Sequence, residues 1–419
     1  MSRIRALYRR SRGFSLVELM IAIVLGLIVT EALVSLFVGV RSASRTTSGV
    51  AALTDSGRFG LNTIGQAVRG AGQMACNSTA PIAVAGIPVT RQISALNDGA
   101  SPLITWLGGP QSVSPPPGGE PLAGYEANNT APGQTVMISA TPAADNSASD
   151  WTAVPLLGSE LDAALVSPPP PSGLAAPVGS MIAGSDVLVV NQSELGAQPV
   201  YTTAVATGAG AFLVNATSGF AQGQIAVISN CLQSEVFEVG SFAPGSGTGT
   251  IGLPGAPYPG NSTATLSGNI DFTIGSHVAL ADTTVFYIGV GADGDGALFR
   301  YDSGGGVLGG GFSVNAELVP DVENMQILYG VETAGTQITQ TVGQYVTADQ
   351  VAATSFTGDF NGVISVKIAL LVASPPSAVP TAVAASPPQL LGTDWQLSAP
   401  DSRMRKVYEQ TIFLRNMSP

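Results

Sequence analysis

The stretch that decides the fold runs from Arg12 to Val40 and reads RGFSLVELMIAIVLGLIVTEALVSLFVGV. Between Phe14 and Val40 the only charged residues are Glu18 and Glu31. An α-helix rises about 1.5 Å per residue, so about 20 apolar residues cross the hydrocarbon layer of a bilayer. The segment is longer than that. It therefore predicts a helix that spans a membrane and carries two carboxylates within an apolar run.

The residues ahead of the apolar segment indicate its orientation. Five arginines lie within the first twelve positions: Arg3, Arg5, Arg9, Arg10 and Arg12. Basic residues beside a span stay on the cytoplasmic side, so the rest of the chain is expected on the opposite side of the membrane. A secretory signal peptide also begins with basic residues, but its apolar run is shorter and ends at an A-x-A-like site, which does not close this run. A simple signal anchor with an incidental glutamate is the other alternative.

Glu18 needs a partner if it lies in a bilayer. A carboxylate inside a membrane is costly and is treated as functional by default. Cleavage between Gly13 and Phe14 would free an α-amino group four residues before Glu18. We expect that amine on one subunit to pair with Glu18 of its neighbour, which would fix the axial register between subunits. For Glu31, a register role and a tolerated interfacial charge are equally open.

The residues GFSLVELMIAIVL, 13–25, closely resemble the class III signal of type IV prepilins. The family pattern is a short basic leader, a glycine, a phenylalanine and a glutamate at the fifth mature position, which Gly13, Phe14 and Glu18 match. The resemblance implies that residues 1–13 are a cleaved leader, that a membrane aspartic peptidase cuts after Gly13, and that Phe14 is then N-methylated. Pilins, minor pilins and the pseudopilins of type II secretion share this signal.

The helix is expected to continue beyond the transmembrane half, 14–40, as an amphipathic half over residues 41–72. At 100° per residue a narrow apolar stripe runs along it, which predicts packing on a globular body. The stripe consists of Val50, Leu53, Leu61, Ile64 and Val68. Phe59 falls outside the stripe. Four glycines weaken the helix locally, which allows either bends or close packing with other helices: Gly49, Gly57, Gly60 and Gly65. The residues Gly70–Gly72, GAG, predict its end.

Residues 73–419 have the composition of a β-rich head. Charged residues make up only 11% of the chain, and Gly (51) and Pro (29) are frequent, which favours strands and turns over a helical bundle. Seven runs of β-forming residues stand out: 186–191, 223–230, 234–242, 283–291, 323–332, 362–374 and 406–416. The range 77–180 has few such runs and is rich in Pro, Gly and Ser, which predicts a loop-rich insertion. The expected fold is α+β, a type IV pilin-like lollipop whose long N-terminal helix packs on a mainly antiparallel head.

Several segments resemble the PilW-like minor pilins of the type IV pilus. They occur in the right order along the chain: 69–76, 223–239, 297–302, 317–332, 363–374 and 401–416. The resemblance implies a disulfide between Cys76 and Cys231, because the family carries a cysteine at both places. From the residues alone, the two cysteines form one disulfide in an oxidising compartment or stay as buried thiols elsewhere. Two cysteines cannot make a four-ligand zinc site.

The resemblance also implies a location and a function in assembly. Before assembly the chain is expected to span the bacterial inner membrane once, with its head in the periplasm. A PilW-like minor pilin enters the inner-membrane complex that starts a pilus and then sits at or near the pilus tip, outside the cell. The implied partners are the prepilin peptidase, other minor pilins, the major pilin and a tip adhesin. Two alternatives are open: a type II secretion pseudopilin, and a surface-binding module in which the 77–180 range contacts its target directly. The acidic chain, with a formal net charge of −12, repels phosphate backbones, so nucleic acid is not an expected partner.

The motifs of the head predict neither an enzyme activity nor a cofactor. Two strings match G-x-G-x-x-G, at 247–252 and 289–294, but neither is expected to open a helix, so turn glycines are the better interpretation. Asp293 and Asp295 are weak candidates for a metal site, and a tight hairpin is favoured there. His277 is the only histidine, and no nucleophile motif accompanies it.

Four basic residues cluster towards the C-terminus: Arg403, Arg405, Lys406 and Arg415. They could form a docking patch on an otherwise acidic head. The favoured interpretation is a solvated edge strand that charge protects from pairing with other chains.

Overall fold

The computed structural model describes the chain from residue 15 to residue 417, with gaps. The described residues are 15–78, 121–139, 178–193, 199–205, 208–256, 260–267, 272–304, 314–332, 341–354, 360–376, 378, 389–399 and 401–417. The backbone of four short strands between residues 82 and 152 is described as well. Gly13 and Phe14, the residues of the predicted cleavage site, lie outside the described residues.

One long helix precedes a series of short strands. Helix α1 covers Leu16–Gly70 and the four-residue helix α2 covers Val351–Thr354. The strands are, in chain order, β1 (Gln73–Met74), β2 (Asn77–Ser78), β3 (Ile82–Val84), β4 (Ile87–Val89), β5 (Gln92–Ser94), β6 (Leu122–Ala127), β7 (Thr135–Ile138), β8 (Trp151–Thr152), β9 (Val187–Ser193), β10 (Val200–Ala204), β11 (Ala211–Val214), β12 (Ile225–Ser229), β13 (Ser234–Glu238), β14 (Ser241–Pro244), β15 (Gly249–Gly252), β16 (His277–Val290), β17 (Gly296–Asp302), β18 (Val314–Pro320), β19 (Val322–Val331), β20 (Gln344–Val346), β21 (Val363–Ala373), β22 (Asp394–Leu397) and β23 (Arg405–Phe413). Three 3-10 turns cover Ala348–Gln350, Phe360–Gly362 and Arg415–Met417.

Helix α1 is continuous across the predicted membrane boundary. It has 55 residues, which corresponds to a rod about 80 Å long. By length and composition it is apolar enough to cross a membrane. Its end lies where the GAG sequence predicts it. There the Asn416 side chain donates hydrogen bonds to three carbonyl oxygens that the helix end leaves unpaired, those of Arg69, Gly70 and Ala71.

Two sheets build the head. The larger has thirteen strands, and its long strand β16 pairs antiparallel with β9, β10, β12 and β17. The smaller sheet is antiparallel in the order β20–β19–β21–β23. A parallel ribbon of β7 and β22 covers its outer face, with Trp395 and Val136 buried against Ala369 and Leu371. Each of the seven predicted runs overlaps a strand, and the mainly antiparallel head is confirmed.

The second half of α1 shares a core with the four-stranded sheet. Four members of the predicted stripe are buried there: Leu53, Leu61, Ile64 and Val68. The prediction is wrong for Val50, whose side chain is 49% exposed. At that turn the neighbouring Gly49 faces the head instead, since a Cβ on it would lie 2.9 Å from the Ala378 side chain. Phe59 is exposed, as its position outside the stripe predicts.

Glycines let the helix approach the sheet closely. A Cβ at Gly57 would overlap the ring of Tyr408 on β23, and one at Gly60 would lie 3.0 Å from Leu370 on β21. Close packing is therefore observed at these glycines, but its partner differs from the expected one. The helix packs against the head of the same chain, not against another helix.

The range 77–180 contributes more to the core than a loop-rich insertion would. β6 pairs with β9 in the larger sheet, and Leu122 on β6 is fully buried. The ribbon strand β7 also lies in this range. The expectation of an insertion is thus wrong for residues 121–139. β6 reads LAGYEA, and its small residues and short length hide it from a search for β-branched or alternating runs.

Replacing Gly57 with alanine tests the close approach of α1 to the sheet. Alanine favours helices over glycine by about 1 kcal/mol, yet we expect the G57A chain to be less stable, because the added methyl group displaces the Tyr408 ring at a cost of about 1–3 kcal/mol. The measurement is denaturant unfolding of the full chain in detergent, followed by tryptophan fluorescence. Gly39→Ala is the matched control, because a Cβ at Gly39 meets no other side chain. Equal or greater stability of G57A would contradict the packing described.

Candidate functional site: the stem and the base of the head

The stem, residues 16–40 of α1, presents a long apolar surface whose only charged side chains are Glu18 and Glu31. Its large apolar side chains are all more than half exposed within the described part of the chain. Soluble monomers rarely expose contiguous apolar patches of this extent, so lipid or neighbouring apolar helices are needed to cover it. The stem is therefore an assembly or membrane surface by its physical chemistry.

Glu18 lies in the first turn of α1 and is exposed. The unpaired N–H groups of a first turn carry the positive end of the helix dipole, so a carboxylate is favourably placed there. Glu31 is exposed as well, along the same apolar rod. The amine expected to pair with Glu18 belongs to Phe14, which precedes the described residues, so that pairing stays a prediction.

The head meets α1 a short distance beyond the stem. The Thr46 hydroxyl donates a hydrogen bond to the carbonyl oxygen of Ala378 at 3.1 Å. Gly49 packs beside the same residue and Met404. Arg41 and Arg45, between the stem and these contacts, are exposed. Among the described residues of the head, Ser374, Ala378 and Met404 lie against this part of the helix, and we call the region around them the base of the head.

Buried ion pairs hold the base together. The Arg405 guanidinium donates to both carboxylate oxygens of Glu323, at 2.7 and 2.8 Å, and to both oxygens of Asp401, at 2.8 and 2.6 Å. The Arg405 side chain is 3% exposed. A guanidinium matches a carboxylate through two parallel hydrogen bonds, which makes such pairs strong and directional. Arg405 therefore fixes β23 to β19 and to the segment that enters β23.

Arg403 joins further segments to the base. It pairs with Asp295 in the turn between β16 and β17, at 2.9 Å, and with Asp321 between β18 and β19. Its Nε also donates to the carbonyl oxygen of Ser374 at 2.7 Å. Both sequence-based interpretations of the C-terminal basic residues are thus wrong for Arg403 and Arg405, because both side chains are buried in ion pairs. Apart from Asp401, the acids that bind them are distant in sequence, so the pattern of bases alone did not reveal the network.

The pKa values at the base follow the burial of each acid. Burial raises the pKa of Glu323, and the hydrogen bond and charge of Arg405 only partly oppose that effect. Asp401 is more exposed. The hydrogen bond from Arg405 lowers its pKa, with burial acting against it. The pair of Arg405 and Asp401 therefore keeps both charges, and Glu323 depends on Arg405 to stay ionised.

Asp293 and Asp295, the weak metal candidates, lie in the tight turn between β16 and β17. The Oδ1 of Asp293 accepts a hydrogen bond from the N–H of Asp295 at 3.0 Å. Asp321 joins them, and one carboxylate oxygen of each acid lies within 4.8 Å of the others. Sequence reasoning missed Asp321, which follows β18. Arg403 already supplies positive charge to Asp295 and Asp321, so the cluster is accounted for as part of the ion-pair network.

At the far end of the head a disulfide follows the end of α1. It joins Cys76 to Cys231, the pair that the family resemblance implies. Cys231 lies in the turn between β12 and β13. Beside the bridge, Met74 and Ala75 are buried against Val236 and other residues of β12, β13 and β16. The bridge thus ties the chain leaving the helix to the larger sheet, across 155 residues of sequence.

The remaining motifs occupy structural positions. Both G-x-G-x-x-G strings lie at hairpin turns, and Gly247 and Gly294 there have φ values of 81° and 88°. A strand follows each turn, where a dinucleotide site would need a helix. The His277 ring packs edge-on against Tyr201 with 5.0 Å between centroids, and burial lowers its pKa. These residues serve the turns and the packing of the head.

The substitution Arg405→Ala tests the ion pairs of the base. It leaves Glu323 buried without a cation, and removing one partner of a buried pair costs about 3–5 kcal/mol. We expect a large loss of stability that shrinks in acid, where Glu323 takes up a proton. Denaturant unfolding of the full chain at two pH values measures it. Lys406→Ala is the control, because this neighbour is exposed and should change stability by less than about 0.5 kcal/mol. Equal effects of the two substitutions would contradict a buried network.

Replacing Cys76 and Cys231 together with serine tests the disulfide. A bridge that closes a loop of this length stabilises by roughly 4–5 kcal/mol through the unfolded state. The double variant should unfold at lower denaturant concentration than the oxidised chain and should not respond to dithiothreitol. The oxidised wild-type chain should shift toward the variant when it is reduced. A reductant-insensitive wild-type chain would contradict the bridge.

Two family matches agree with this arrangement. Residues 285–416 match the family described as type IV pilus-assembly protein W, PilW. Residues 8–30 match the prokaryotic N-terminal methylation motif. The first match spans β17 to β23 and so includes the base of the head and the sheet that holds α1. The second spans the predicted cleavage site and the start of the stem.

Comparison with whole proteins adds little to these matches. No curated protein matches the chain significantly. Among solved structures, a type IV-like pilin from Thermus thermophilus is similar at 17% identity, over 48% of this chain and 89% of that chain, with a TM-score of 0.18. The two family matches confirm the predicted resemblance to a PilW-like minor pilin of the type IV pilus. The chain carries the N-terminal methylation motif at the start of its stem, and the last third of its sequence matches PilW.

Proposed function

We propose that this chain is a minor pilin that takes part in priming and assembly of the type IV pilus and is incorporated at or near its tip. The observation that carries the proposal is the exposed apolar stem with Glu18 in its first turn, joined without a break to a head that matches PilW. A stem of this kind is covered only when it lies in lipid or among the stems of other subunits.

In this proposal residues 1–13 are a leader that the prepilin peptidase removes. Cleavage leaves Phe14 as the first residue, and N-methylation keeps its amine available as a cation near Glu18 of the next subunit. A paired carboxylate and amine cost far less in an apolar layer than either charge alone. The pair would set the axial position of one stem against the next, because it forms at one register only.

The arrangement of the head supports a periplasmic and later extracellular location. A disulfide between Cys76 and Cys231 persists in an oxidising compartment. The arginines before the stem favour a cytoplasmic N-terminus, with the head on the opposite side. The proposed partners are other minor pilins, the major pilin and a tip adhesin, and the placement at the tip rests on the resemblance to PilW-like proteins.

Mass spectrometry of the N-terminus tests the processing step. The protein extracted from membranes or from sheared pili should begin with methylated Phe14. Recovery of the chain with its arginine-rich start intact would overturn the proposed cleavage after Gly13. Gly13→Leu is the matched variant, and it should accumulate uncleaved in the inner membrane.

Substitution of Glu18 tests assembly. We expect Glu18→Ala to reduce the number of pili and the amount of other minor pilins that co-purify with this chain, because the subunit amine loses its partner. Glu31→Ala is the control for removing a carboxylate from the same apolar helix. Both variants should still be cleaved and should retain the disulfide. Unchanged piliation and co-purification for Glu18→Ala would remove the basis for a register function.

A strain that lacks this chain separates the secretion alternative from the pilus. If the chain is a pilus subunit, its deletion should abolish twitching motility and leave the secretion of exoproteins intact. The opposite result, a loss of secretion with normal twitching, would favour a type II secretion pseudopilin. The PilW match over residues 285–416 is the observation that favours the pilus.

A further inference from the structure

A second group of buried charges lies inside the head, and neither the stem nor the base explains it. Glu126, at the end of β6, is 5% exposed, and Asp186, just before β9, is 2% exposed. Antiparallel pairing of Tyr125 with Val187 places these two acids next to each other at the end of the β6–β9 ladder. We call them the carboxyl pair.

Asp186 connects the two sheets through its carboxylate. Its Oδ1 accepts a hydrogen bond from the N–H of Ala127 at 2.9 Å, and its Oδ2 accepts one from the N–H of Ile327 at 2.8 Å. Ala127 belongs to β6 in the larger sheet, and Ile327 belongs to β19 in the four-stranded sheet. Two N–H donors favour the ionised form of this carboxylate. Asp186 is therefore the member of the pair suited to carry the negative charge.

At Glu126 burial outweighs the hydrogen bonds, and it raises the pKa of this acid against those from Thr130 and from the N–H of Ala348. Its Oε1 lies 3.3 Å from the Thr130 hydroxyl, which also donates to the carbonyl of Ala127 at 2.7 Å. Its Oε2 is buried and has no hydrogen-bond partner among the described residues. The hydroxyl of Tyr329 is also buried without a partner in the described part of the chain. A protonated Glu126 carries an O–H group that can donate a hydrogen bond here. An ionised Glu126 would instead leave a buried negative charge with no hydrogen bond to Oε2.

The charges around the pair are all negative. Asp349, in the 3-10 turn before α2, raises the pKa of Glu126 by its charge, and the Thr347 hydroxyl holds Asp349 at 2.5 Å. Tyr329 faces the pair from β19, and Tyr125 lies beside it on β6. Every ion pair in the described part of the chain uses other acids. Two ionised carboxylates at this depth would therefore repel each other with no cation to offset them.

We propose that Glu126 and Asp186 hold a single proton between them, carried on Glu126, and that this proton controls how β6 and β9 pack against β19 and the turn at 348–350. With the proton bound, the pair carries one charge, which the N–H groups of Ala127 and Ile327 stabilise. When the proton leaves, repulsion and the unpaired charge of Glu126 loosen the junction of the two sheets. The head is then a proton-sensitive structure whose packing weakens in alkaline medium.

The direction of the pH effect follows from the environment of each acid. Burial first, and then the charges of Asp186 and Asp349, raise the pKa of Glu126 to about 9. Burial also raises the pKa of Asp186, against the hydrogen bonds from Ala127 and Ile327. When an acid has a higher pKa in the folded state than in the unfolded state, its contribution to folding stability is fully present below the unfolded-state pKa. The contribution of Glu126 is therefore lost as the pH rises from the usual glutamate pKa toward the folded-state pKa.

A metal ion is the competing explanation for clustered acids, and the geometry disfavours it here. Both oxygens of Asp186 already point at backbone N–H groups. Within the described residues, liganding carboxylate oxygens converge only at Asp293, Asp295 and Asp321. The test below nevertheless includes calcium, so that binding of this ion at the carboxyl pair can be distinguished from binding of a proton.

The substitution Glu126→Gln tests the proposal, because glutamine keeps the shape of a protonated glutamate and cannot ionise. Thermal unfolding of the full chain in detergent is followed between about pH 5 and about pH 9. The unfolding midpoint of the wild-type chain should fall by several degrees as the pH rises. E126Q should lose most of that shift and should exceed the wild-type midpoint at the alkaline end. Glu409→Gln, which removes an exposed carboxylate from β23, should retain the full shift.

Glu235 requires its own control, because burial raises its pKa to about 7. Its carboxylate accepts a hydrogen bond from the N–H of Ser267, far from the carboxyl pair in sequence. Glu235→Gln should remove only a smaller part of the shift, centred at lower pH. The difference between E126Q and E235Q assigns the alkaline part of the curve.

A spectroscopic measurement makes the test independent of whether E126Q folds. Because Glu235 also contributes to the infrared carbonyl band of protonated carboxylic acids, the band is followed in folded E235Q, where it should be present at neutral pH and should disappear toward alkaline pH. Absence of that band, or an unfolding midpoint that does not fall with pH, would overturn the proposal. So would a pH shift in E126Q equal to that of wild type, or an alkaline wild-type chain that calcium chloride restores and E126Q does not.

Discussion

The contact between the glycine face of α1 and the four-stranded sheet is the constraint on which the rest of the structure depends. A helix that carries an exposed apolar rod at one end needs a firm attachment at the other, because any force on the stem acts on that joint. Gly49, Gly57 and Gly60 remove the side chains that would hold the helix away from the sheet. Tyr408 and Leu370 fill the space. The intrinsic cost of glycine in a helix, about 1 kcal/mol each, is offset by this approach.

Two polar systems then stabilise the joint from either side. At the base, Arg403 and Arg405 bind acids from two turns, from β19 and from the segment before β23, so these segments near the stem are held together. Inside, Asp186 links the larger sheet to the four-stranded sheet through two backbone N–H groups. Buried charges of this kind contribute less to net stability than to fixing one arrangement, because misplaced partners leave charges unpaired. The head thus combines an apolar core with charge contacts that specify how its two sheets meet.

Sequence patterns predicted the local features well and the distant ones poorly. The end of α1 at Gly70, the stripe from Leu53 to Val68 and the seven strand runs all depend on periodicity within a few turns or residues, which the sequence carries directly. The burial of Arg403 and Arg405 depends on acids about 80 or more residues away, such as Glu323, and no local pattern records that distance. β6 was missed because its small residues and short length give no β-branched or alternating run. Val50 was misplaced because the geometry of one turn, at Gly49, shifts the contact by a residue.

The position of β23 along the chain has a consequence for biosynthesis. This strand contacts α1 through Tyr408, and soon after it Asn416 closes the end of the helix. Both are made long after the helix that they hold, because 345 residues of sequence separate Asn416 from Ala71. During translation the face of the helix that packs on the sheet therefore stays exposed until nearly all of the intervening chain has been made. A chaperone or a lipid surface that covers the helix would protect it over that interval. The helix can pack fully on the head only after β23 has been synthesised.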